Sequence, residues 1–385
     1  MKHLLFDSNW QFKQRNPALS LADDFASSEG WLPASVPGTV QQDLLTAGRI
    51  PDPFFGLNEN EVQWIGECDW LYRCTFDLPT GFEEAESVTL CFDGLDTFAT
   101  VWLNGTQILA SDNMFIPYRI QAKPLLRLKQ NELHLLFESA WRIGKEREAQ
   151  YGTATLWGEG DASRLYIRKA QYHYGWDWGP TFLTAGPWRP ISLEAYSIRI
   201  SDFSCPLEVA ADLNSARLPV SISLDTNNNS SLADTTLQIT LHAPTGEIVD
   251  EVTLPVTGNQ AQHTFKITSP QLWWPNGYGQ QPLYRLIATL KQASEELDRS
   301  ELRLGLRRLQ LIQKPLQDEP GTTFLFEINN TPIFCSGANW IPADSFLPRI
   351  TPERYRTWLQ LAGDANMVML RVWGGGIYEA DIFYD

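Results

Sequence analysis

Ala99-Thr100-Val101-Trp102-Leu103-Asn104-Gly105-Thr106-Gln107-Ile108-Leu109 is a β-hairpin written out in residues. Two runs rich in β-branched and apolar side chains flank Asn-Gly, the dipeptide that tolerates the left-handed conformations of a type I′ turn. The pattern repeats outward on both sides. Trp70-Leu71-Tyr72-Arg73-Cys74-Thr75-Phe76 and Val88-Thr89-Leu90-Cys91-Phe92 precede it, and Asn131 to Glu138 alternates after it. Thr39 to Ala47 has helical spacing and predicts one short helix ended by Gly48. Residues 1–197 therefore read as one all-β domain, a sandwich of jelly-roll type.

Residues 198–308 restart the β pattern with different punctuation. Leu218–Leu224 and Thr236–Leu241 alternate cleanly, with Asn227-Asn228-Asn229-Ser230-Ser231 between them as a polar loop. Short strands between turn signals fit an immunoglobulin-like sandwich, without the Cys-Trp-Cys pattern of antibody domains. Leu272-Trp273-Trp274-Pro275-Asn276-Gly277 reads as a loop.

Residues 309–385 change character again. Thr323–Ile328 and Ile333–Cys335 flank Asn329-Asn330 as a hairpin. Ser336-Gly337-Ala338-Asn339-Trp340 follows. Thr351-Pro352-Glu353 opens a helix, with an N-cap, a proline in the first turn and an acid near the positive dipole end. Asn366 to Trp373 is a nearly continuous apolar strand, as expected when both faces are buried. Ala380 to Asp385 starts another helix. Strand–helix–strand–helix is the opening of a parallel α/β unit. Two parallel strands cannot bury themselves, so the natural chain is expected to continue past Asp385.

Composition narrows the function. The chain has 385 residues, 43% of them hydrophobic, enough for two or three packed domains at roughly 150 residues each. No apolar run approaches the ~18 residues of a membrane span. Met1-Lys2-His3-Leu4-Leu5-Phe6-Asp7 reaches an acid too early for a secretory leader. Five cysteines, odd in number and without ligand spacing, read as free thiols in a reducing cytoplasm. The sequon at Asn104 then has no meaning. A net charge of -16 repels nucleic-acid phosphate and anionic lipid but not a neutral substrate. The histidines at 3, 134, 173, 242 and 263 form no zinc motif, and Gly374-Gly375-Gly376 lacks the Lys-Ser/Thr of a phosphate loop. No cofactor, metal, nucleic acid or membrane is expected.

Tyr172-His173-Tyr174-Gly175-Trp176-Asp177-Trp178-Gly179-Pro180 carries the chemistry. In an extended segment Trp176 and Trp178 face one way and Asp177 the other. A carboxylate accepts from two hydroxyls, and indoles cover the C–H faces of a sugar ring. The plain alternative is an aromatic strand end with Asp177 capping a turn. Fifteen tryptophans point the same way, although most of them must be core.

With these residues in view, the chain resembles the β-mannosidases of glycoside hydrolase family 2, over all 385 residues. Pro33-Ala34-Ser35-Val36-Pro37-Gly38-Thr39-Val40 looks like the family's opening segment. Gly175–Pro180 looks like the loop that reaches from the jelly roll into the active site. Arg371-Val372-Trp373-Gly374-Gly375-Gly376-Ile377-Tyr378-Glu379 looks like the end of the second barrel strand. The β-galactosidase and β-glucuronidase branches share the domain order but lack both of the latter motifs. The resemblance implies a jelly roll, an immunoglobulin-like sandwich and a TIM barrel cut off after its second strand. It implies a retaining exo-glycosidase that removes terminal β-D-mannose from the non-reducing ends of oligosaccharides. It leaves homodimerisation open.

That chemistry needs two carboxylates ~5 Å apart. The family's glutamates lie on later barrel strands, so no catalytic residue falls within this chain, and the fragment alone is expected to be inactive. Glu379 reads as a solvated or helix-starting acid. The resemblance assigns substrate contacts to Asp177, with Trp176 and Trp178 beside it, and to Trp373. It adds Arg371, which orients the catalytic carboxylates or forms a buried ion pair, and Asn339 and Trp340 on the same rim. In this reading Asp177 and Trp373 come from different domains, and the intervening sandwich sets their geometry. The competing readings are a stand-alone carbohydrate-binding module without catalysis and another family 2 exo-glycosidase of the β-galactosidase or β-glucuronidase type.

Overall fold

The computed structural model describes residues 1–153, 160–226 and 232–385. They form two compact units. One comprises Lys2–Ala195, Trp340–Arg356 and Val372–Asp385; the other comprises Met1, Tyr196–Asn339 and Thr357–Arg371.

The first unit is built on twelve strands: β1 (Lys2–Leu5), β2 (Trp10–Gln14), β3 (Leu32–Pro33), β4 (Trp70–Phe76), β5 (Ser87–Phe92), β6 (Phe98–Leu103), β7 (Thr106–Ser111), β8 (Tyr118–Gln121), β9 (Asn131–Glu138), β10 (Tyr174–Trp176), β11 (Gly179–Thr181) and β12 (Ile191–Tyr196). A six-stranded sheet runs β3-β2-β4-β9-β6-β7 and a four-stranded sheet runs β1-β12-β5-β8. Period-2 alternation drives the layering. Leu133, Leu135 and Phe137 of β9 point into the sandwich and are fully buried, as are Val101 and Leu103 of β6. The Asn104-Gly105 hairpin is present. Asn104 and Gly105 both have positive φ (52° and 83°), and Leu103 pairs with Thr106. The short helix is Val40–Thr46, capped by the Thr39 hydroxyl and followed by Gly48 at φ 63°.

The second unit holds two four-stranded sheets. One contains Ile198–Ser204, Glu208–Val209, Ser215–Thr226 and Gln260–Thr268; the other contains Thr235–His242, Ile248–Pro255, Tyr284–Gln292 and Glu295–Leu304. Leu218, Val220 and Ile222 from one sheet and Leu237, Ile239 and Leu286 from the other fill its core. The polar loop Asn227–Ser231 lies outside the described residues. Pro275–Tyr278 closes a turn, with Tyr278 N–H donating to Pro275 O (3.1 Å) and Gly277 at φ 80°.

Beyond the sandwich, Leu309–Ile312, Leu325–Ile328 and Thr331–Ile333 form a small antiparallel sheet whose turn is Asn329-Asn330, both at positive φ. Strand Gly337–Trp340, helix Pro352–Asp364, strand Met369–Val372 and a helical turn at Asp381–Tyr384 then follow in the expected order. The Thr351 hydroxyl caps the first helix by accepting from Arg354 N–H (3.2 Å). One expectation fails. The apolar strand is shorter than its sequence suggests and is not buried on both faces. Met369 and Arg371 are exposed, because among the described residues Gly337–Trp340 is its only hydrogen-bonded neighbour.

Candidate functional site

Trp176 and Trp178 do not sit in an extended segment. Trp176 pairs with Gly179, so Asp177-Trp178 is the two-residue tip of the β10–β11 hairpin. Gly175 at φ 91° makes the approach to that tip, and a Cβ there would meet the Thr181 hydroxyl at 2.5 Å. The consequence expected from alternation survives by another route. Both indoles are half-buried and Asp177 is exposed. Among the described residues its carboxylate has no hydrogen-bond or ion-pair partner.

The two indoles pack on Trp373. Ring centroids are 5.1 Å apart for Trp176 and 5.6 Å for Trp178, both edge to face. Tyr172 completes the group, 5.7 Å from Trp178 and 6.5 Å from Trp373. Edge-to-face contacts use the positive rim of one ring against the negative face of another. The Arg164 guanidinium lies 5.4 Å from the Trp176 ring, a cation–π contact. No intervening sandwich is needed to set this geometry. The hairpin and the 372–385 segment belong to one compact unit and touch directly. Trp373 N–H donates to Trp340 O (2.8 Å), which fixes the start of the segment. Its indole folds back over Gly375, where a Cβ would stand 2.4 Å from the ring.

Two cavities flank Trp373. One, of ≈ 710 Å³, is lined by Phe115, Trp188, Arg189, Trp373, Tyr378 and Tyr384 among others. The other, of ≈ 530 Å³, is lined by Arg164–Gln171, Phe115 and Gly374–Gly376. Asp177, Trp176 and Trp178 line neither of these two cavities.

A buried polar network holds the hairpin at both ends. Lys169, fully buried, donates to both oxygens of Asp96, to Thr184 O (2.8 Å) and to Thr184 Oγ1 (2.9 Å). Thr184 Oγ1 lies 3.1 Å from His173 Nδ1. His173 Nε2 faces the Ser345 carbonyl at 3.1 Å, so that nitrogen carries the proton and donates. Lys169 and His173 precede the hairpin and Thr184 follows it. Desolvation lowers the Lys169 pKa, against the pull of Asp96. Burial, helped by nearby Lys169, pushes His173 down to about 3, so the imidazole is neutral.

The remaining expected site residues fall elsewhere. Trp340 is buried, its indole N–H donating to Glu379 Oε1 (2.9 Å) and its ring stacked on Tyr355 (6.3 Å). Glu379 is not solvated, which corrects the sequence reading. It is 4% exposed and also accepts from the Tyr355 hydroxyl. The sequence shows an acid before a helix and does not show that two aromatic donors converge on it. Asn339 and Arg371 belong to the other unit, where Arg371 is exposed and donates to Asn339 Oδ1 (3.2 Å). Among the described residues Arg371 forms no buried ion pair. Arg164, Lys169 and Arg189 were not singled out from sequence. The signal for the first two was available: Arg164, Arg168 and Lys169 crowd six positions of an acidic chain just before the aromatic stretch. Among the described residues no cluster of His, Cys, Asp and Glu is placed to hold a metal.

Residues 10–189 match the model described as glycosyl hydrolase 2 galactose-binding domain-like, and residues 198–307 match that of glycosyl hydrolases family 2. β-Mannosidase B of Thermothelomyces thermophilus is 47% identical over 384 residues, covering 98% of this chain and 43% of that protein. β-Mannosidase B of Emericella nidulans is 40% identical over 386 residues, covering 100% of this chain and 44% of that protein. The crystal structure of β-D-mannosidase from Dictyoglomus thermophilum superposes with a TM-score of 0.89 at 38% identity, covering this whole chain and 46% of that one. The Amycolatopsis orientalis exo-chitosanase, at TM-score 0.71 and 18% identity, shares the fold alone. The chain thus spans less than half the length of the relatives it matches.

Proposed function

Because the chain belongs to glycoside hydrolase family 2, we propose that it forms the substrate-cleft part of a retaining exo-β-mannosidase acting on terminal, non-reducing β-D-mannose. The observation that carries this reading is the hairpin tip. An exposed carboxylate without a partner among the described residues stands between two indoles, and both indoles are packed on Trp373 beside open cavities. Such a tip offers two acceptor oxygens for adjacent sugar hydroxyls and apolar faces for the ring. The strand–helix–strand–helix segment is the opening of the barrel whose strand ends supply catalytic groups. The glutamate pair that protonates the glycosidic oxygen and attacks the anomeric carbon belongs to later strands. This chain contributes recognition and ring orientation, with Trp373 and Asp177 holding the ring and Trp176 and Trp178 supporting them.

Kinetics of the full-length protein on aryl glycosides test the reading. The expected result is hydrolysis of 4-nitrophenyl β-D-mannopyranoside with a kcat/KM at least a hundredfold above that for the β-D-glucopyranoside. Equal or inverted preference would remove mannose as the substrate sugar.

A further inference from the structure

The outer face of the six-stranded sheet carries a second cleft. Strand register sets Gln11, Arg73, His134 and Trp102 in one row across β2, β4, β9 and β6. Thr75 and Glu132 pair in the next row on the same face. Helix Leu21–Ala26 lies over these rows, and its Phe25 ring stacks on the His134 imidazole at 4.3 Å and 5°. Phe25 also meets the Trp102 ring at 6.1 Å. Between helix and sheet lies a cavity of ≈ 780 Å³, well inside the size range of small-ligand pockets. It shares no lining residue with the two cavities beside Trp373.

The walls of this cleft are fixed. Lys13 of β2 pairs with Asp24 of the helix at 2.7 Å, with both side chains buried. Arg73 donates from Nε to Gln11 Oε1 (2.9 Å) and stacks 4.0 Å over the Trp31 ring. By contrast, the groups between the walls are unemployed. Among the described residues the Glu132 carboxylate, the Thr75 hydroxyl, the His134 ring nitrogens and the Trp102 indole N–H have no protein hydrogen-bond partner. Burial holds His134 below the ordinary histidine range, so the neutral ring offers one donor and one acceptor.

We propose that this cleft binds one neutral pyranose unit of an oligosaccharide, with the Trp102 ring against its C–H face and Glu132, Thr75 and His134 on its hydroxyls. A carboxylate in the cleft and a chain charge of -16 disfavour an anionic ligand. An aromatic plane ringed by mixed donors and acceptors suits a polyol better than an apolar molecule.

Calorimetric titration of the full-length Asp177→Ala protein tests the proposal. That background removes the hairpin-tip carboxylate from the other cleft. Methyl α-D-mannopyranoside and methyl β-D-glucopyranoside serve as probes, since a β-mannosidase cleaves neither. The expected result is saturable millimolar binding of at least one probe, weakened tenfold or more by adding Glu132→Ala. Adding Trp102→Leu should weaken it similarly. Glu132 is exposed, so its removal leaves the fold intact even where Trp102→Leu does not. Absence of saturable binding of both probes, or an affinity unchanged by Glu132→Ala, would overturn the assignment.

Discussion

Asp177→Ala in the full-length protein lowers kcat/KM for an aryl β-D-mannoside by about a hundredfold or more and leaves the melting temperature where it was. The two halves of this result have separate causes. Each hydrogen bond from a sugar hydroxyl to an ionised carboxylate is worth about 1.5–3 kcal/mol, and the tip offers both oxygens. Losing two such bonds corresponds to roughly two to four powers of ten in rate. Stability is unaffected because Asp177 is exposed at the hairpin tip and its side chain bonds to no described residue. The split between kcat and KM adds information. A fall confined to kcat means that the bonds tighten in the transition state, whereas a rise confined to KM means uniform binding. Asp177→Asn keeps one acceptor oxygen, without charge, and replaces the other by an N–H donor, so it should fall between. Wild-type kinetics in Asp177→Ala would remove this residue from the substrate.

Lys169→Ala destabilises the jelly-roll unit by about 3–5 kcal/mol, the range for breaking a buried ion pair by deleting one partner. The ammonium group is the hub that joins Asp96 to both main-chain and side-chain oxygens of Thr184. Its removal leaves the Asp96 carboxylate buried without a counter-ion and frees both ends of the hairpin that carries Asp177. A double variant, Lys169→Met with Asp96→Leu, should recover much of the loss, since it removes the stranded charge. Urea unfolding of the three proteins checks this; equal midpoints in wild type and Lys169→Ala would refute it.

The same network makes stability depend on pH. The His173 pKa is depressed from 6.5 in the unfolded chain to about 3 in the fold. Between these values only the unfolded chain takes up the proton, so stability falls as pH drops through 6.5 and levels off below about 3. At pH 5 this amounts to about 2 kcal/mol relative to pH 7. His173→Gln, which cannot take up the proton, should flatten that part of the profile.

Much of the architecture could be read from residues because it rests on local rules. Asn104-Gly105 and Asn329-Asn330 specify their turns through positive φ, β9 announces itself by alternation, and β4 by its run of aromatic and β-branched residues. Thr39 and Gly48 bracket a helix that forms between them. Long-range placement was harder to read. Nothing in Trp176-Asp177-Trp178 distinguishes an extended run from a hairpin tip until Gly179 is known to pair with Trp176. Glu379 looked like a helix-starting acid because its partners, Trp340 and Tyr355, are 39 and 24 positions away. Lys169 and Asp96 are 73 positions apart, and no spacing rule connects them. The apolar run ending at Trp373 overstated burial because hydrophobicity records what a strand is suited to contact, whereas exposure records what packs on it in this chain.

The most direct test of the central claim is a crystal structure of the full-length protein with a mannose-configured inhibitor. The inhibitor ring is expected beside Trp373, with Asp177 oxygens within hydrogen-bond distance of two adjacent hydroxyls. An inhibitor bound elsewhere, with the Asp177 carboxylate still facing solvent, would contradict it.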